Sequence, residues 1–219
     1  MQPTLNPARR PEKVNIAGRY AILVPIAEEH AAPIYEATRH DDSLWDYMAE
    51  GPFQDRGAFD ASWQRKLASA DPLFYAVLDA KTSEPVGYAS LMRIDPANGC
   101  IEVGNIMYSP VLQRTPAATE VQFLLARYVF EGLGNRRYEW KCNALNAPSR
   151  RAALRYGFEF EGVFRQHMIV KGSNRDTAWL SMLDSEWPAR KAAFEAWLDA
   201  ANFDESGRQK SALARVDSL

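Results

Sequence analysis

Two segments in which a helix begins directly after a strand constrain the fold more than any other feature of this chain. The first joins the alternating run Cys100–Tyr108 to VLQRTPAATE, whose Pro116 is typical of a first helical turn. The second, Tyr138–Phe164, contains a strand, a helix that Asn146 starts and Gly157 ends, and another strand. The first N–H groups of a helix have no partner within it, so two such starts predict donors that face one cleft.

Hydrophobic periodicity places the remaining residues in one α/β domain. We predict strands and helices, in chain order, at Arg19–Pro25, Glu28–Arg39, Asp55–Ser69, Phe74–Asp79, Val86–Ile94, Cys100–Tyr108, Pro116–Glu131, the Tyr138–Phe164 unit, His167–Lys171, Thr177–Asp184 and Pro188–Ala200. A meander of three strands that feeds strand–helix–strand units implies a mixed sheet with helices on both faces. We predict a polar N-terminal arm over 1–15, a single domain over 16–201, and a polar tail over 202–219 that is frayed from Asp204.

Composition excludes several classes of function. The 219 residues, 47% of them hydrophobic, are enough to bury one core. A net charge of −2 lacks the basic footprint of a nucleic-acid-binding protein. The sequence contains neither a membrane-length apolar run nor the apolar region of a signal peptide, so we expect a cytoplasmic protein without a membrane partner. Cys100, Cys142 and the scattered histidines predict neither a disulfide framework nor a metal site.

The loop before the first of these helices reads QRTPAA and is a candidate site for a phosphate group. The helix start favours an anion, and the Arg114 guanidinium could bind one with a forked contact. Pro116 supplies no N–H and, with Ala117, makes the loop stiffer than glycines would. The alternative is an ordinary proline-started helix beside a surface arginine.

A carboxylate on the strand Cys100–Tyr108 is a candidate general base. Alternation places Glu102 and Gly104 on the same face of that strand, where the carboxylate could accept a proton from an amine. Gly104 permits a ligand to approach the backbone closely, and the N–H groups near Ile106 and Met107 could stabilise an oxyanion. The alternative for Glu102 is a solvated charge on an edge strand.

These segments resemble the cofactor-binding half of the GCN5-related N-acetyltransferase (GNAT) family, particularly the branch that acetylates the N-terminal alanine or serine of ribosomal proteins. The resemblance covers roughly residues 17–200. It rests on a Gln/Arg-x-x-Gly-x-Gly/Ala loop, with Pro116 and Ala117 in place of the glycines, and on an Asn-x-x-Ser…Gly-Phe signature from Asn146 through Gly162. It implies a splayed, mostly antiparallel sheet and acetyl-CoA as cosubstrate, with no metal.

The resemblance also implies roles for individual residues. Glu102 is expected to be the general base, and Ser149 to protonate the departing thiolate. Many family members carry a tyrosine four residues before the helix-ending glycine, where this chain has Ala153. An ordered water or Tyr156 is an alternative proton donor. The residues expected to contact acetyl-CoA are Ile106, Met107, Tyr108, Gln113, Arg114, Thr115, Ala117, Ala118, Thr119, Asn146, Ser149 and Arg151.

The acceptor is expected to be a primary amine, and the resemblance to this branch of the family implies the N-terminal amine of a protein or peptide. Trp45, Tyr47, Glu102 and Asn105 are the predicted pocket residues, although aromatic residues in the irregular segment around Trp45 could equally be plain packing.

Three alternatives stay open at this point. The acidic run Asp41–Asp46 could select a small amine such as a polyamine, an amino acid or an antibiotic. Ala153 and the glycine-poor loop leave open a catalytically silent acyl-CoA-binding module. The last helix, with Phe194, Trp197 and Leu198, packs either on the core or on a second subunit, which leaves a homodimer open.

Overall fold

The computed structural model describes residues 7–214, which form one eight-stranded sheet in the order β1-β2-β3-β4-β5-β6-β8-β7. Neighbouring strands are antiparallel except β5 and β6, which are parallel. The strands are β1 Ile16–Ala17, β2 Ala21–Pro25, β3 Leu73–Asp79, β4 Pro85–Asp95, β5 Cys100–Tyr108, β6 Arg137–Asn143, β7 Glu159–Val170 and β8 Ser173–Leu183. The predicted mixed, mostly antiparallel sheet is therefore confirmed.

Helices cover both faces of this sheet, as the sequence predicted. They are α1 Ala31–Thr38, α2 Arg56–Leu67, α3 Pro116–Arg127, α4 Ala147–Arg155 and α5 Trp187–Leu198. The caps follow the sequence signals, because the side chains of Asp55, Thr115 and Asn146 each accept a hydrogen bond from an N–H in the first turn of α2, α3 and α4. None of the helices within residues 7–214 is long and apolar enough to cross a membrane.

Several element boundaries differ from the prediction, and two of these differences change the kind or number of elements. The strands predicted to end at Phe164 and to restart at His167 are one strand, β7, because a register shift between Phe164 and Met168 inserts a bulge without breaking the pairing with β8. The helix predicted over Pro116–Glu131 is α-helical only to Arg127 and continues as a π-helical turn over Tyr128–Gly132.

The sheet opens between β5 and β6. Their parallel pairing extends only from Cys100, opposite Arg137, to Val103, opposite Trp140. A bulge then redirects β5: on the β4 side Gly104 lies opposite Ser90 and Met107 opposite Tyr88, so β5 carries an extra residue. Asn105 lies within this bulge with a φ of 49°, and its Nδ2 donates a hydrogen bond to Ser90 Oγ at 3.0 Å. The main-chain groups beyond Gly104 thus border an opening.

The last helix packs against its own core. Phe194, Trp197 and Leu198 are buried, and Phe194 lies beside the rings of Phe123 and Tyr156 at centroid distances of 5.6 and 6.2 Å. Of the two alternatives for this helix, the structure therefore shows packing within the chain.

The residues after α5 form a short structure that we call the C-terminal hook, residues 202–211. The Asp204 carboxylate accepts hydrogen bonds from the N–H groups of Ser206 and Arg208, both at 2.9 Å, and Trp197 Nε1 donates to Gln209 Oε1 at 3.1 Å. These hydrogen bonds hold residues that we expected to be frayed. Residues 215–219 lie outside the described part of the chain.

The N-terminal arm also contacts the domain. The N–H of Ala8 donates to the carbonyl of Pro96 at 2.9 Å, and the Tyr75 hydroxyl donates to the carbonyl of Glu12 at 2.8 Å. Residues 1–6 of the predicted arm lie outside the described residues.

Candidate active site

A cleft of about 1380 Å³ follows the opening between β5 and β6. One end is formed by the first turns of α3 and α4 together with the C-terminal hook, and we call it the helix end. The other is formed by β4, β5, the β7–β8 hairpin and the irregular segment 41–49, and we call it the sheet end. The two ends differ in charge and burial, so each is described separately.

The first turn of α3 has few N–H groups left for a ligand. Thr115 is the N-cap, and its Oγ1 accepts the N–H of Ala118 at 3.2 Å. Pro116 has no N–H, and Ala117, whose N–H has no partner within the helix, does not line the cleft. Just before it, Arg114 adopts a positive φ of 61°, and Gln113 Nε2 donates to the Tyr108 carbonyl at 3.0 Å.

Arginines compensate for this scarcity of backbone donors. The side chains of Arg114, Arg151, Arg155 and Arg208 line the helix end. Arg155 is held in place, since it donates to Thr119 Oγ1 at 3.0 Å and lies 4.9 Å from the ring of Trp197. Guanidinium groups around a helix start suit the phosphates of a coenzyme A molecule.

The first turn of α4 places a hydroxyl at the cleft. Asn146 Oδ1 accepts the N–H of Ser149 at 3.0 Å, which fixes the start of the helix. The Oγ of Ser149 accepts a hydrogen bond from Trp140 Nε1 at 3.0 Å and lies close to the Cys142 thiol. Burial raises the pKa of that thiol, and the contact with Ser149 opposes the shift. The Ser149 hydroxyl therefore lies at the cleft with its oxygen held by the Trp140 indole.

The two other candidate proton-donor positions differ from Ser149. Ala153 is fully buried in the core and does not line the cleft. Tyr156 does line it, but its ring packs against Phe194 and its hydroxyl contacts Thr119 and Arg155. Burial raises the pKa of Tyr156 and Arg155 opposes the shift, so the phenol stays protonated at neutral pH.

Glu102 is buried on a central strand, only 4% exposed, which excludes the solvated edge-strand alternative. Its Oε2 lies 3.0 Å from Lys141 Nζ and 3.4 Å from Arg93 Nε, although neither contact has hydrogen-bond geometry. Lys141 Nζ also lies 2.6 Å from Glu139 Oε2. Burial raises the pKa of Glu102, and Lys141 and Arg93 oppose the shift. The result is a carboxylate of increased basicity beside the cleft.

Segment 41–49 covers the sheet end. The Tyr47 hydroxyl donates to the carbonyl of Leu145 at 3.3 Å, and Lys171, at the β7–β8 turn, donates to the carbonyl of Trp45 at 2.7 Å. The Trp45 side chain itself is 2% exposed and packs edge-on against Phe53, with ring centroids 4.9 Å apart. Trp45 is therefore a core residue, which corrects the expectation that it lines the acceptor pocket.

Most of the predicted site residues converge on this cleft. The side chains or backbone of fourteen of them line it: Tyr47, Glu102, Asn105, Ile106, Met107, Tyr108, Gln113, Arg114, Thr115, Ala118, Thr119, Asn146, Ser149 and Arg151. Ala117 and Trp45 do not.

Several cleft residues were missed. At the sheet end these are Arg93, Lys141 and Arg175, and at the helix end Phe203 and Arg208 of the hook. The only sequence signal for the first group was Lys141 two residues after Glu139, two charges on one face of a central strand. Within the described residues, no group of three metal-binding side chains is placed to hold an ion.

Comparisons with known proteins agree with this geometry. Residues 21–159 match the family model of the acetyltransferase (GNAT) domain. The ribosomal-protein-serine acetyltransferase of Escherichia coli K12 is 26% identical over 174 residues, 75% of this chain and 93% of that protein. A GCN5-related N-acetyltransferase from Brucella melitensis has a crystal structure with a TM-score of 0.93 and 50% identity, covering 95% of this chain and 96% of that one.

A second crystal structure supports the same conclusion. A protein of Chromobacterium violaceum, described as a probable acetyltransferase of the GNAT family, has a TM-score of 0.81 and 39% identity, over 86% of this chain and 96% of its own. Together with the open sheet and the basic helix end, these matches show that the chain belongs to the GNAT family and is an acetyl-CoA-dependent N-acetyltransferase.

Proposed function

We propose that this enzyme acetylates the N-terminal α-amine of a protein or peptide in the cytoplasm. The observation that carries the proposal is Glu102, a buried carboxylate of raised pKa at the point where β5 and β6 part. An α-ammonium has a pKa of about 7.7 to 8.0, against about 10.4 for a lysine-type amine, so a carboxylate base removes its proton more readily. The similarity to a ribosomal-protein-serine acetyltransferase supports the same acceptor class.

The charges at the sheet end argue against polycationic acceptors. A polyamine or an aminoglycoside needs several free carboxylates. Asp41 accepts hydrogen bonds from the N–H and the hydroxyl of Ser43, and Glu102 is paired with Lys141. Among the described acidic residues that line the cleft, Asp46 alone is without such a partner.

The proposed reaction divides the work between the two ends. Arg114, Arg151 and the first turn of α3 hold the phosphates of acetyl-CoA, whose thioester supplies the activated acetyl group. Backbone N–H groups near Ile106 and Met107 donate to the thioester oxygen as charge develops on it. Glu102 accepts the proton of the incoming ammonium, directly or through a water.

The amine nitrogen then bonds to the carbonyl carbon as the carbon–sulfur bond breaks. The sulfur leaves as a thiolate and takes a proton from Ser149 Oγ, and the hydroxyl recovers a proton as the new amide nitrogen loses its second one. Ser149 is suited to this step because the indole N–H of Trp140 holds its oxygen and leaves its O–H to donate.

The proposal is tested first by calorimetry and then by an acceptor panel. We expect acetyl-CoA to bind with a Kd in the micromolar range, about −8 kcal/mol, and a peptide with a free N-terminal serine or alanine to be acetylated at its α-amine, as seen by mass spectrometry. The matched control is the same peptide with a blocked N-terminus and an internal lysine, which should stay unmodified.

The other acceptor classes are arms of the same panel. Acetylation of a polyamine, a free amino acid or an aminoglycoside, with no peptide modified, would contradict a protein acceptor and favour a small-molecule one. Acetyl-CoA binding without CoA release in any arm would favour a silent acyl-CoA-binding module.

A further inference from the structure

Cations are concentrated on one wall of the sheet end. Arg93 and Arg175 both line the cleft there, and His167 lies nearby with its Nδ1 3.0 Å from Thr177 Oγ1. Burial, followed by the fields of Arg93 and Arg175, lowers the pKa of His167. Glu102 is the acidic residue within ion-pair distance of Arg93, and its carboxylate also pairs with Lys141.

Arg175 has no partner among the described residues. It makes no hydrogen bond or ion pair there, and its Nε is buried. Burial lowers the pKa of Arg175, Cys142 and Glu102 oppose that shift, and Arg93 acts in the same direction as burial. A half-buried guanidinium that makes no hydrogen bond is stabilised when an anion binds it.

The position of Arg175 separates it from the coenzyme phosphates. Trp179 lies opposite Lys141 in the sheet, and Lys141 Nζ lies 3.8 Å from the centre of its ring, so both side chains occupy one face. Arg175 precedes Trp179 by four residues in β8 and shares that face. The ionisable groups that act on Arg175 are Cys142, Glu102 and Arg93, and none of them belongs to the first turns of α3 and α4.

We propose, on the basis of the acceptor class above, that Arg175 and Arg93 form a subsite for a side-chain carboxylate of the acceptor peptide. Arg93 Nε lies 3.4 Å from Glu102, where the amine loses its proton. One extended residue spans about 3.3 to 3.6 Å, so a carboxylate on the second or third residue of the peptide reaches this wall. The planar fork of arginine suits that group. The preferred substrates are therefore peptides in which aspartate or glutamate closely follows the N-terminal residue.

The test uses peptides that differ only in their second residue, Ser-Asp, Ser-Asn, Ser-Ala and Ser-Lys followed by one common sequence, with kcat/KM measured by CoA release. Hydrogen bonds to charged groups predict a preference for Ser-Asp over Ser-Asn of about 10- to 100-fold, expressed mainly in KM. In Arg175→Gln the ratio of kcat/KM for Ser-Asp to that for Ser-Asn should fall to near unity. Arg165→Gln, on the exposed strand β7, is the matched control and should keep the preference.

The possible outcomes separate the subsite from the proposed function. Equal kcat/KM for Ser-Asp and Ser-Asn in the wild-type enzyme would overturn the subsite while leaving the proposed function intact. A preference that survives in Arg175→Gln would do the same. Turnover of free aspartate in preference to every peptide would replace the peptide by an amino acid at the same subsite. Failure to acetylate any peptide would instead remove the proposed function itself.

Discussion

The two ends of the cleft bind charge in opposite ways. At the helix end the cations are solvent-facing arginines, and the backbone donors belong to the first turn of a helix that Thr115 caps. At the sheet end Glu102 and Lys141 are buried on neighbouring strands, with side chains 5% and 4% exposed. An exposed cation is hydrated whether or not its ligand is present, whereas a buried charge depends on its partner. Binding at the helix end should therefore tolerate the substitution of a single arginine, whereas substitution of one buried charge at the sheet end should impair the enzyme strongly.

The largest expected effect concerns the base. Glu102→Gln keeps the shape of the side chain but cannot accept the proton, so kcat/KM for a peptide acceptor should fall by about 10²- to 10⁴-fold. The Kd of acetyl-CoA, measured by calorimetry, should stay unchanged because the phosphates bind at the other end. Glu36→Gln, on the exposed part of α1, is the control. Activity in Glu102→Gln within threefold of the wild type would assign the base elsewhere.

The pH dependence of kcat/KM also tests Glu102 as the general base. Glu102 must be deprotonated to act, so kcat/KM should fall as the pH drops through its pKa. Burial raises that pKa and Lys141 opposes the shift. Loss of Lys141 should therefore move the acidic limb of the profile to higher pH. A limb at the same pH in Lys141→Met as in the wild type would show that Lys141 does not act on the base.

Lys141→Met should also destabilise the fold, because it leaves Glu102 and Glu139 without their shared cation. Breaking a buried pair typically costs about 3 to 5 kcal/mol, to be measured as the free energy of unfolding in urea. Lys191→Met is the matched control: Lys191 pairs with Glu131 at 2.8 Å on a much more exposed surface, where a far smaller loss of stability is expected. Equal losses of stability in the two variants would contradict the dependence of Glu102 and Glu139 on Lys141.

A smaller effect is expected at the helix end. Arg114→Ala removes one of several cations, so the Kd of acetyl-CoA should rise by about tenfold, or about 1.4 kcal/mol. The value of kcat at saturating acetyl-CoA should not change. Arg39→Ala, whose side chain pairs with Glu36 away from the cleft, serves as control. A drop in kcat without weaker binding would mean that Arg114 acts on the reacting atoms.

The smallest effect concerns the cover of the sheet end. Tyr47→Phe removes the hydrogen bond to the Leu145 carbonyl, which is long and exposed. About 0.5 kcal/mol is expected for such a bond, so KM for the acceptor should rise by about twofold, with the Kd of acetyl-CoA unchanged. A tenfold or larger rise in KM would show that segment 41–49 orders the acceptor far more strongly than this one contact explains.

The same contrast explains what the sequence could predict. The helix end depends on local signals: Pro116, Asn146 and Gly157 each act within one turn of their own helix, and these positions were predicted. The residues themselves also carried the family resemblance, because its motifs are local in the chain. The sheet was predicted in outline, since alternation identifies strands but not where a register shift such as that within β7 keeps one strand continuous.

The sheet end depends on pairings between distant residues. Arg93, Lys141 and Arg175 belong to three different strands, and only the register of β4, β5, β6 and β8 brings them together. The prediction that Trp45 lines the acceptor pocket was wrong for a related reason. An aromatic side chain in an irregular segment can face a pocket or a core, and its orientation depends on Phe53 and on neighbours elsewhere in the chain. Neither hydrophobic periodicity nor a capping signal predicts these pairings or the orientation of the Trp45 side chain.

The C-terminal hook has a practical consequence for handling this protein. It begins well after residue 159, where the match to the family model ends, yet its Phe203 and Arg208 line the cleft. Leu213, a few residues before the chain end, packs against the core. A truncation that removes residues 202–213 therefore removes part of the wall of the cofactor site together with a side chain that packs on the core. Shortened variants of the enzyme should keep the chain at least through Leu213.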